Sequence, residues 1–209
     1  MNRRDALKNL TMGLGYAVAT PTIMNLLVSC KADVNEWAPL FLSEDEQFIV
    51  TQIVDIILPA SETPGGLDVN IPQFLDLMYH DIEIESNQKA FKEGAKLFTT
   101  SFNDIFKKEA VEGSKKEYNT IVSRYFDLSD EESETVFKNQ RKNQKNLNPT
   151  ELKSYHLYKF LISIRYYCIF GYCTSEKIGE DILAYDPVPG AYNGCISLEE
   201  ATNNRAWSL

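Results

Sequence analysis

From residue 43 onward, apolar residues recur three and four apart, and clusters of turn-forming residues divide them into segments. Ser43 and Glu46 have capping-box spacing, and Val50, Ile53, Val54, Ile57 and Leu58 follow on one helical face until Pro59 stops the run. Residues 60–70 are rich in turn formers. Residues 71–84 predict a helix with Pro72 in its first turn and Phe74, Leu75, Met78 and Ile82 facing a core. Phe91, Ala95, Phe98, Phe102, Ile105 and Phe106 form the clearest amphipathic stripe in the chain. Gly113-Ser114 ends that segment, and Tyr118, Ile121, Val122 and Tyr125 predict another helix.

Ser129-Asp130-Glu131-Glu132 is a second capping box. Its helix carries acids first and Lys138, Arg141, Lys142 and Lys145 last, the order that complements the helix dipole. Asn148-Pro149-Thr150-Glu151 then opens the longest apolar segment, residues 152–172, hydrophobic on nearly every face. Lys159 and Arg165 interrupt it, which predicts a buried central helix and not a membrane span. Thr174 is expected to cap one more short helix, and from Tyr185 the tail reads as turn-rich and irregular. No period of 20–50 residues recurs. The expected fold is all-α: a single irregular helical bundle with a long buried central helix, turn-rich loops and an irregular C-terminal tail.

The N-terminal thirty residues follow a different pattern. Arg3 and Arg4 are adjacent, and after Lys8 no charge occurs until Lys31. A basic start, a weakly apolar middle and the ending Leu27-Val28-Ser29-Cys30 are the parts of an export signal closing in a lipobox, with Cys30 as the acylated residue. The arginine pair points to the twin-arginine route, although Ala6 stands where that motif usually has Phe. Residues 9–29 are long enough to cross a bilayer, but Asn9, Gly13, Gly15, Pro21 and Asn25 keep them only mildly hydrophobic. Gly13-Leu14-Gly15 does not make a dinucleotide loop, because Val18 occupies the third glycine position and no strand precedes it. The expected organisation is a signal over 1–29, a tether over 30–42 and a helical domain over 43–209. The expected location is the periplasmic face of a membrane, with the protein held there by lipid.

Charge narrows the partners. The chain has 21 basic and 30 acidic residues; without Arg3, Arg4, Lys8 and Asp5, 18 and 29 remain, a formal charge of −11. So acidic a body argues against nucleic acid, which selects basic surfaces. Besides Cys30 there are Cys168, Cys173 and Cys195. An oxidising compartment permits one disulfide, Cys173 with Cys195, both in loop-like sequence; the alternative is three thiols, with Cys168 buried among aromatic neighbours.

Little in the chain suggests chemistry. His80 and His156 each stand alone in helical sequence. Asp76 lies one turn before His80, an arrangement that a solvated face or a satisfied polar contact explains. No zinc or haem cysteine pair, phosphate loop or nucleophile elbow is present, so no catalytic, metal or cofactor-binding residues are assigned. A stand-alone enzyme using Glu176, Asp181 or Asp186 as acid and base is a rival reading, and an exported binding lipoprotein is another.

Two segments are richer in rigid turn residues than packing requires. One is Leu58-Pro59-Ala60-Ser61-Glu62-Thr63-Pro64-Gly65-Gly66, where Gly65 is expected at a positive-φ turn position. The other runs through Tyr172-Cys173-Thr174-Ser175-Glu176 to Tyr185-Asp186-Pro187-Val188-Pro189-Gly190-Ala191-Tyr192-Asn193-Gly194-Cys195. Preorganised loops carrying tyrosine suit a protein-binding surface, because they lose little entropy on docking. The expected interface residues are Thr63, Pro64, Gly65, Thr174, Ser175, Glu176, Tyr185, Asp186, Pro187, Pro189, Gly190 and Tyr192.

Through these segments the sequence resembles the small subunit (subunit 3) of gluconate 2-dehydrogenase and its relatives. Leu58-Pro59, Thr63-Pro64-Gly65, Thr174-Ser175-Glu176, the run from Tyr185 to Gly190, and Gly194-Cys195 carry the resemblance. It implies a non-catalytic accessory subunit. The implied partner is a flavin-dependent dehydrogenase of the glucose-methanol-choline type, which holds FAD and oxidises a sugar or sugar acid. A c-type cytochrome as third subunit would take the electrons. The flavin subunit in such complexes commonly lacks an export signal and is carried across with the small subunit. The lipobox departs from the family's usual leader and implies a lipid anchor through this chain. Lys177 and Glu180 make the stretch after Glu176 more polar than the family pattern.

Overall fold

The computed structural model describes residues 37–188, 190 and 194–208. The chain divides into two units, Met1–Ala38 and Pro39–Leu209. Arg3, Arg4 and Cys30, in the first unit, and Pro189 and Tyr192, in the second, lie outside the described residues. The described part of the second unit is all-α. Its helices are α1 (Glu44–Ile57), α2 (Ile71–Leu77), α3 (Glu85–Phe106), α4 (Lys115–Phe126), α5 (Asp130–Arg141), α6 (Pro149–Cys173), α7 (Glu176–Asp181) and α8 (Leu198–Thr202).

Four helices begin at complete capping boxes: Ser43 with Glu46, Ser114 with Glu117, Ser129 with Glu132, and Asn148 with Glu151. Each box satisfies two backbone donors that the helix start leaves open, and its cap is worth about 1 kcal/mol. These four helix starts therefore follow from local sequence before any packing.

Packing is organised by α3 against α6. Gly94 of α3 meets His156 and Phe160 of α6 so closely that backbone touches backbone. Around this crossing runs a column of rings. Phe41 stacks on Tyr79 (5.1 Å), Tyr79 meets Phe91 (4.3 Å), and Phe91 meets Phe160 (4.8 Å). Phe160 continues to Phe98 (5.7 Å), and Tyr118 closes on Phe102 (4.8 Å). Tyr79, Phe91, Phe98, Phe102, Tyr118 and Phe160 are all fully buried. Rings in tilted and edge contact add to the area that they remove from water.

Several expectations are corrected. The helix expected over 71–84 is regular only through Leu77. A single π turn follows, Met78–Ile82, closed by the Glu83 N–H donating to the Met78 carbonyl at 2.9 Å. The wider turn rotates Tyr79 into the core and leaves Ile82 67% exposed. The tether expected over 30–42 is already part of the fold at its end. The fully buried Asp76 carboxylate accepts from the backbone N–H groups of Leu40 (2.7 Å), Phe41 (2.9 Å) and Leu42 (2.8 Å). Lys92 reinforces that segment: its Nζ donates to the Phe41 carbonyl at 2.7 Å, stands 4.2 Å from the Phe41 ring centre, and pairs with Glu46.

The long helix α6 is not buried all round. Phe160, Leu161, Ile164, Tyr167 and Cys168 face the core, whereas Tyr166, Ile169 and Phe170 are exposed. Composition could not separate the two sides, because both are apolar. The tail is less irregular than expected: Ala184 forms a parallel bridge with Trp207, its N–H donating to the Ala206 carbonyl (2.8 Å) and its carbonyl accepting from Ser208 (2.9 Å). Among the described residues no helix is long and apolar enough to cross a membrane.

Candidate partner-docking site

The first turn-rich segment is tied down at both ends. The Gly66 N–H donates to the Leu58 carbonyl (2.8 Å), and the Ile71 N–H donates to the Gly66 carbonyl (3.0 Å). Between them, the Gly65 N–H donates to Asp68 Oδ2 at 2.7 Å. No described glycine has positive φ, so Gly65 does not serve the turn in the way its sequence context predicts. Its role is space. A Cβ there would stand 2.6 Å from the Ala60 nitrogen and 3.0 Å from the Leu58 carbonyl oxygen. A side chain at Gly66 would meet Val54 Cγ1 at 2.7 Å. The loop folds back on the end of α1 at a separation that only glycine allows.

The second segment begins where α6 ends, and there the two are brought together. The Tyr172 hydroxyl donates to the Pro64 carbonyl at 2.7 Å. The Tyr172 carbonyl in turn accepts from Ser175 Oγ (2.8 Å) and, more weakly, from the Ser175 N–H (3.2 Å). Thr174 does not cap the following helix. It is the last residue of the α6 terminus, with its Oγ1 donating to the Phe170 carbonyl (2.8 Å), and Ser175 takes the N-cap position of α7. One tyrosine thus joins Thr63-Pro64-Gly65 to Thr174-Ser175-Glu176.

Tyr185, Asp186, Pro187 and Gly190 are all exposed. Asp186 Oδ1 accepts from the Val188 N–H at 3.2 Å, an Asx-type turn. Among the described residues no hydrogen bond links this stretch to Thr63-Pro64-Gly65. Ala184, immediately before this stretch, is bridged to Trp207 of the C-terminal tail, and a side chain at Gly179 of α7 would stand 2.9 Å from Ser208 Oγ. Gly190 has nothing within 4 Å of an added Cβ, so neither crowding nor φ explains glycine there.

Cys173 lies in the last turn of α6 rather than in a loop, and its thiol is free, so the Cys173–Cys195 bond is not formed. Cys168 is buried, and burial pushes its thiol up to about 12, far from the reactive thiolate range.

Of the two histidines, His80 has a side-chain partner, whereas the buried Nδ1 of His156 has no hydrogen-bond partner among the described residues. His80 is exposed and bonds to the adjacent Asp81 at 2.6 Å, while its helical neighbour Asp76 is occupied by the backbone of residues 40–42. His156 is half-buried beside Glu93, and burial lowers its pKa despite that carboxylate. Among the described residues no three His, Cys, Asp or Glu side chains converge as a metal-ligand set. Glu176, Asp181 and Asp186 are exposed, and none lines either of the two cavities that border Phe137.

One further surface is formed by α6 and α5. Ile162, Tyr166, Phe170 and Thr174 succeed one another four residues apart on α6. Tyr166 and Phe170 stack with their ring centres 6.0 Å apart, and Phe170 meets Phe74 at 6.0 Å. Phe137 of α5, half exposed, stands beside this stripe. A cavity of about 320 Å³ lies on one side of Phe137, lined by Glu83, Gln140, Lys159, Ile162, Ser163, Tyr166 and Tyr167. A smaller one, about 80 Å³, lies on the other and includes Tyr125, Tyr158 and Arg165. Glu83 is engaged by Tyr167 Oη (2.7 Å) and Asn87 Nδ2 (2.6 Å). The spacing was visible in the sequence, but its solvent exposure was not.

No curated protein and no solved structure matches the chain significantly. The family model described as gluconate 2-dehydrogenase subunit 3 matches residues 44–190, which take in α1 to α7, the first turn-rich segment and the second as far as Gly190. The chain belongs to the gluconate 2-dehydrogenase subunit 3 family, and by that description it is a subunit of a dehydrogenase complex.

Proposed function

We propose that this chain is the non-catalytic subunit that escorts, stabilises and anchors a flavin-dependent dehydrogenase of the glucose-methanol-choline type. The partner holds FAD and oxidises a sugar or sugar acid, and a c-type cytochrome subunit accepts the electrons. Residues 1–29 direct export by the twin-arginine route, and Cys30 carries the lipid that holds the complex at the periplasmic face of a membrane. Residues 43–209 form the domain that grips the partner. The observation that carries this reading is the family match over residues 44–190, which includes the Tyr172–Pro64 junction between the two turn-rich segments. Rigid loops with exposed tyrosine support a docking role for those segments.

Isolation of the tagged full chain from its own cells, followed by an absorbance spectrum, tests the assignment. Flavin bands in stoichiometric amount, with haem bands from the third subunit, are expected. A preparation with neither overturns it. Arg3→Lys with Arg4→Lys should leave both this chain and the flavin subunit in the cytoplasm. Cys30→Ala should release the chain to the soluble fraction when the other subunits are absent. Tyr185→Ala should weaken co-purification about thirtyfold while helical content is unchanged.

A further inference from the structure

The exposed stripe on α6 has no occupant within the described fold. Phe137 (50% exposed), Tyr166 (58%) and Phe170 (39%) are large rings at the surface, where such residues are usually covered. They are contiguous: Phe170 stacks on Tyr166, and both Tyr166 and Phe137 border the larger cavity. The stripe is also continuous with the family segment at the end of α6, because Thr174 stands one turn beyond Phe170 and bonds back to its carbonyl.

The acids of α5, Asp130, Glu131, Glu132 and Glu134, all precede Phe137, and from Phe137 to Tyr172 the chain has seven lysines and arginines and a single acid, Glu151. The one carboxylate that lines the larger cavity, Glu83, is already engaged by Tyr167 and Asn87. Lys138 pairs with Glu134 and Lys142 with Glu151. Lys159 and Arg165, which line the two cavities on either side of Phe137, make no ion pair among the described residues. An apolar centre flanked by cations without partners complements a surface with an apolar centre and an acidic rim.

Resting on the reading above, we infer that the α5–α6 face around Phe137, Tyr166 and Phe170 is a docking surface for the dehydrogenase subunit. It extends the interface from Thr174 along the length of α6, and the facing patch on the dehydrogenase is apolar with acidic residues at its edge. Tyr166 and Phe170 are the anchors. Lys159 and Arg165 set orientation and association rate.

The test uses the full chain co-expressed with the dehydrogenase subunit of its own complex. Tyr166→Asp, Phe137→Asp and the double variant Lys159→Glu with Arg165→Glu are compared with wild type. Circular dichroism and thermal melting of each chain alone check the fold, and the exposure of the altered side chains predicts melts close to wild type. Tyr166→Asp is expected to weaken the complex at least thirtyfold. The double charge reversal is expected to weaken it about tenfold and to abolish the loss of affinity that salt causes in wild type. A wild-type complex that every one of these variants retains at full affinity overturns this inference alone. Failure of the wild-type chain to bind any flavin subunit overturns the proposed function with it. Two other occupants are excluded in parallel. If wild type sediments as a dimer that Tyr166→Asp makes monomeric while the heterocomplex persists, the face belongs to a second copy, and the inference is wrong. If the Cys30→Ala chain binds phosphatidylglycerol vesicles through these residues while the heterocomplex persists, the face meets lipid, and it is again wrong.

Discussion

Gly94 and His156 meet at the crossing of α3 and α6, where a Cβ on Gly94 would stand 2.1 Å from the His156 carbonyl oxygen and 2.6 Å from Phe160 Cβ. The obstacle is helix backbone, which cannot swing aside as a flexible side chain can. Considered as an isolated helix position, Gly94→Ala should stabilise by up to about 1 kcal/mol. The crossing reverses the sign. Gly94→Ala is expected to destabilise by about 3 kcal/mol and to lower Tm by about 10 °C, because the two helices must separate. Thermal unfolding checks this, and a melting point at or above wild type would show that the helices are not in contact there.

Asp76 is the fully buried acceptor for three consecutive backbone N–H groups, those of Leu40, Phe41 and Leu42. Asp76→Ala leaves all three without their acceptor and should cost about 3 kcal/mol or more. Asp76→Asn keeps one acceptor oxygen and should cost less. Urea unfolding of both variants reads the difference. Equal stability of Asp76→Ala and wild type would mean that residues 40–42 are not held this way.

Tyr172→Phe removes only the hydroxyl that donates to Pro64. The expected loss of stability is small, about 1 kcal/mol. The local effect should be larger: hydrogen exchange at the Gly65 and Gly66 amides is expected to quicken while α3 and α6 remain protected. Exchange rates unchanged from wild type would remove Tyr172 as the tie between the two turn-rich segments.

Glu117 should respond to acid at an unusually low pH. Lys108 Nζ lies 2.7 Å from its carboxylate, and Ser114 donates to it through Oγ (2.6 Å) and N–H (2.8 Å). Lys108 first and Ser114 second hold its pKa down at about 2, against an ordinary 4.5. The folded-state value is depressed, so this stabilisation is complete above about pH 4.5 and is lost as pH falls toward 2. A carboxyl-detected NMR titration should find Glu117 still ionised at pH 3 in wild type, and its midpoint should move upward in Lys108→Ala. A midpoint in the ordinary carboxylate range for wild type would contradict the geometry.

The local sequence determined the helical class and the starts of α1, α4, α5 and α6, since a capping box closes within four residues and needs no tertiary partner. It also determined which segments hold the turns: Pro59, Pro64, Gly65 and Gly66 stop a helix wherever they are placed. The aromatic stripe of α3 was legible for the same reason, because its period is a property of one helix. Only the tertiary structure decided what depends on a second element. The π turn at Met78–Ile82 exchanges Ile82 for Tyr79 in the core, a change of one residue in register that apolar spacing does not encode. Gly65 is glycine because Ala60 lies against it, and Gly94 because His156 does, neither for backbone φ. Asp76 looked like the neighbour of His80 until residues 40–42 supplied its real partners. The apolar run of α6 looked buried on every side because hydrophobicity states a tendency to be covered, and it does not say by what. The core covers the face of Leu161, Ile164 and Cys168. Tyr166 and Phe170 remain open, because nothing in the described fold packs over them.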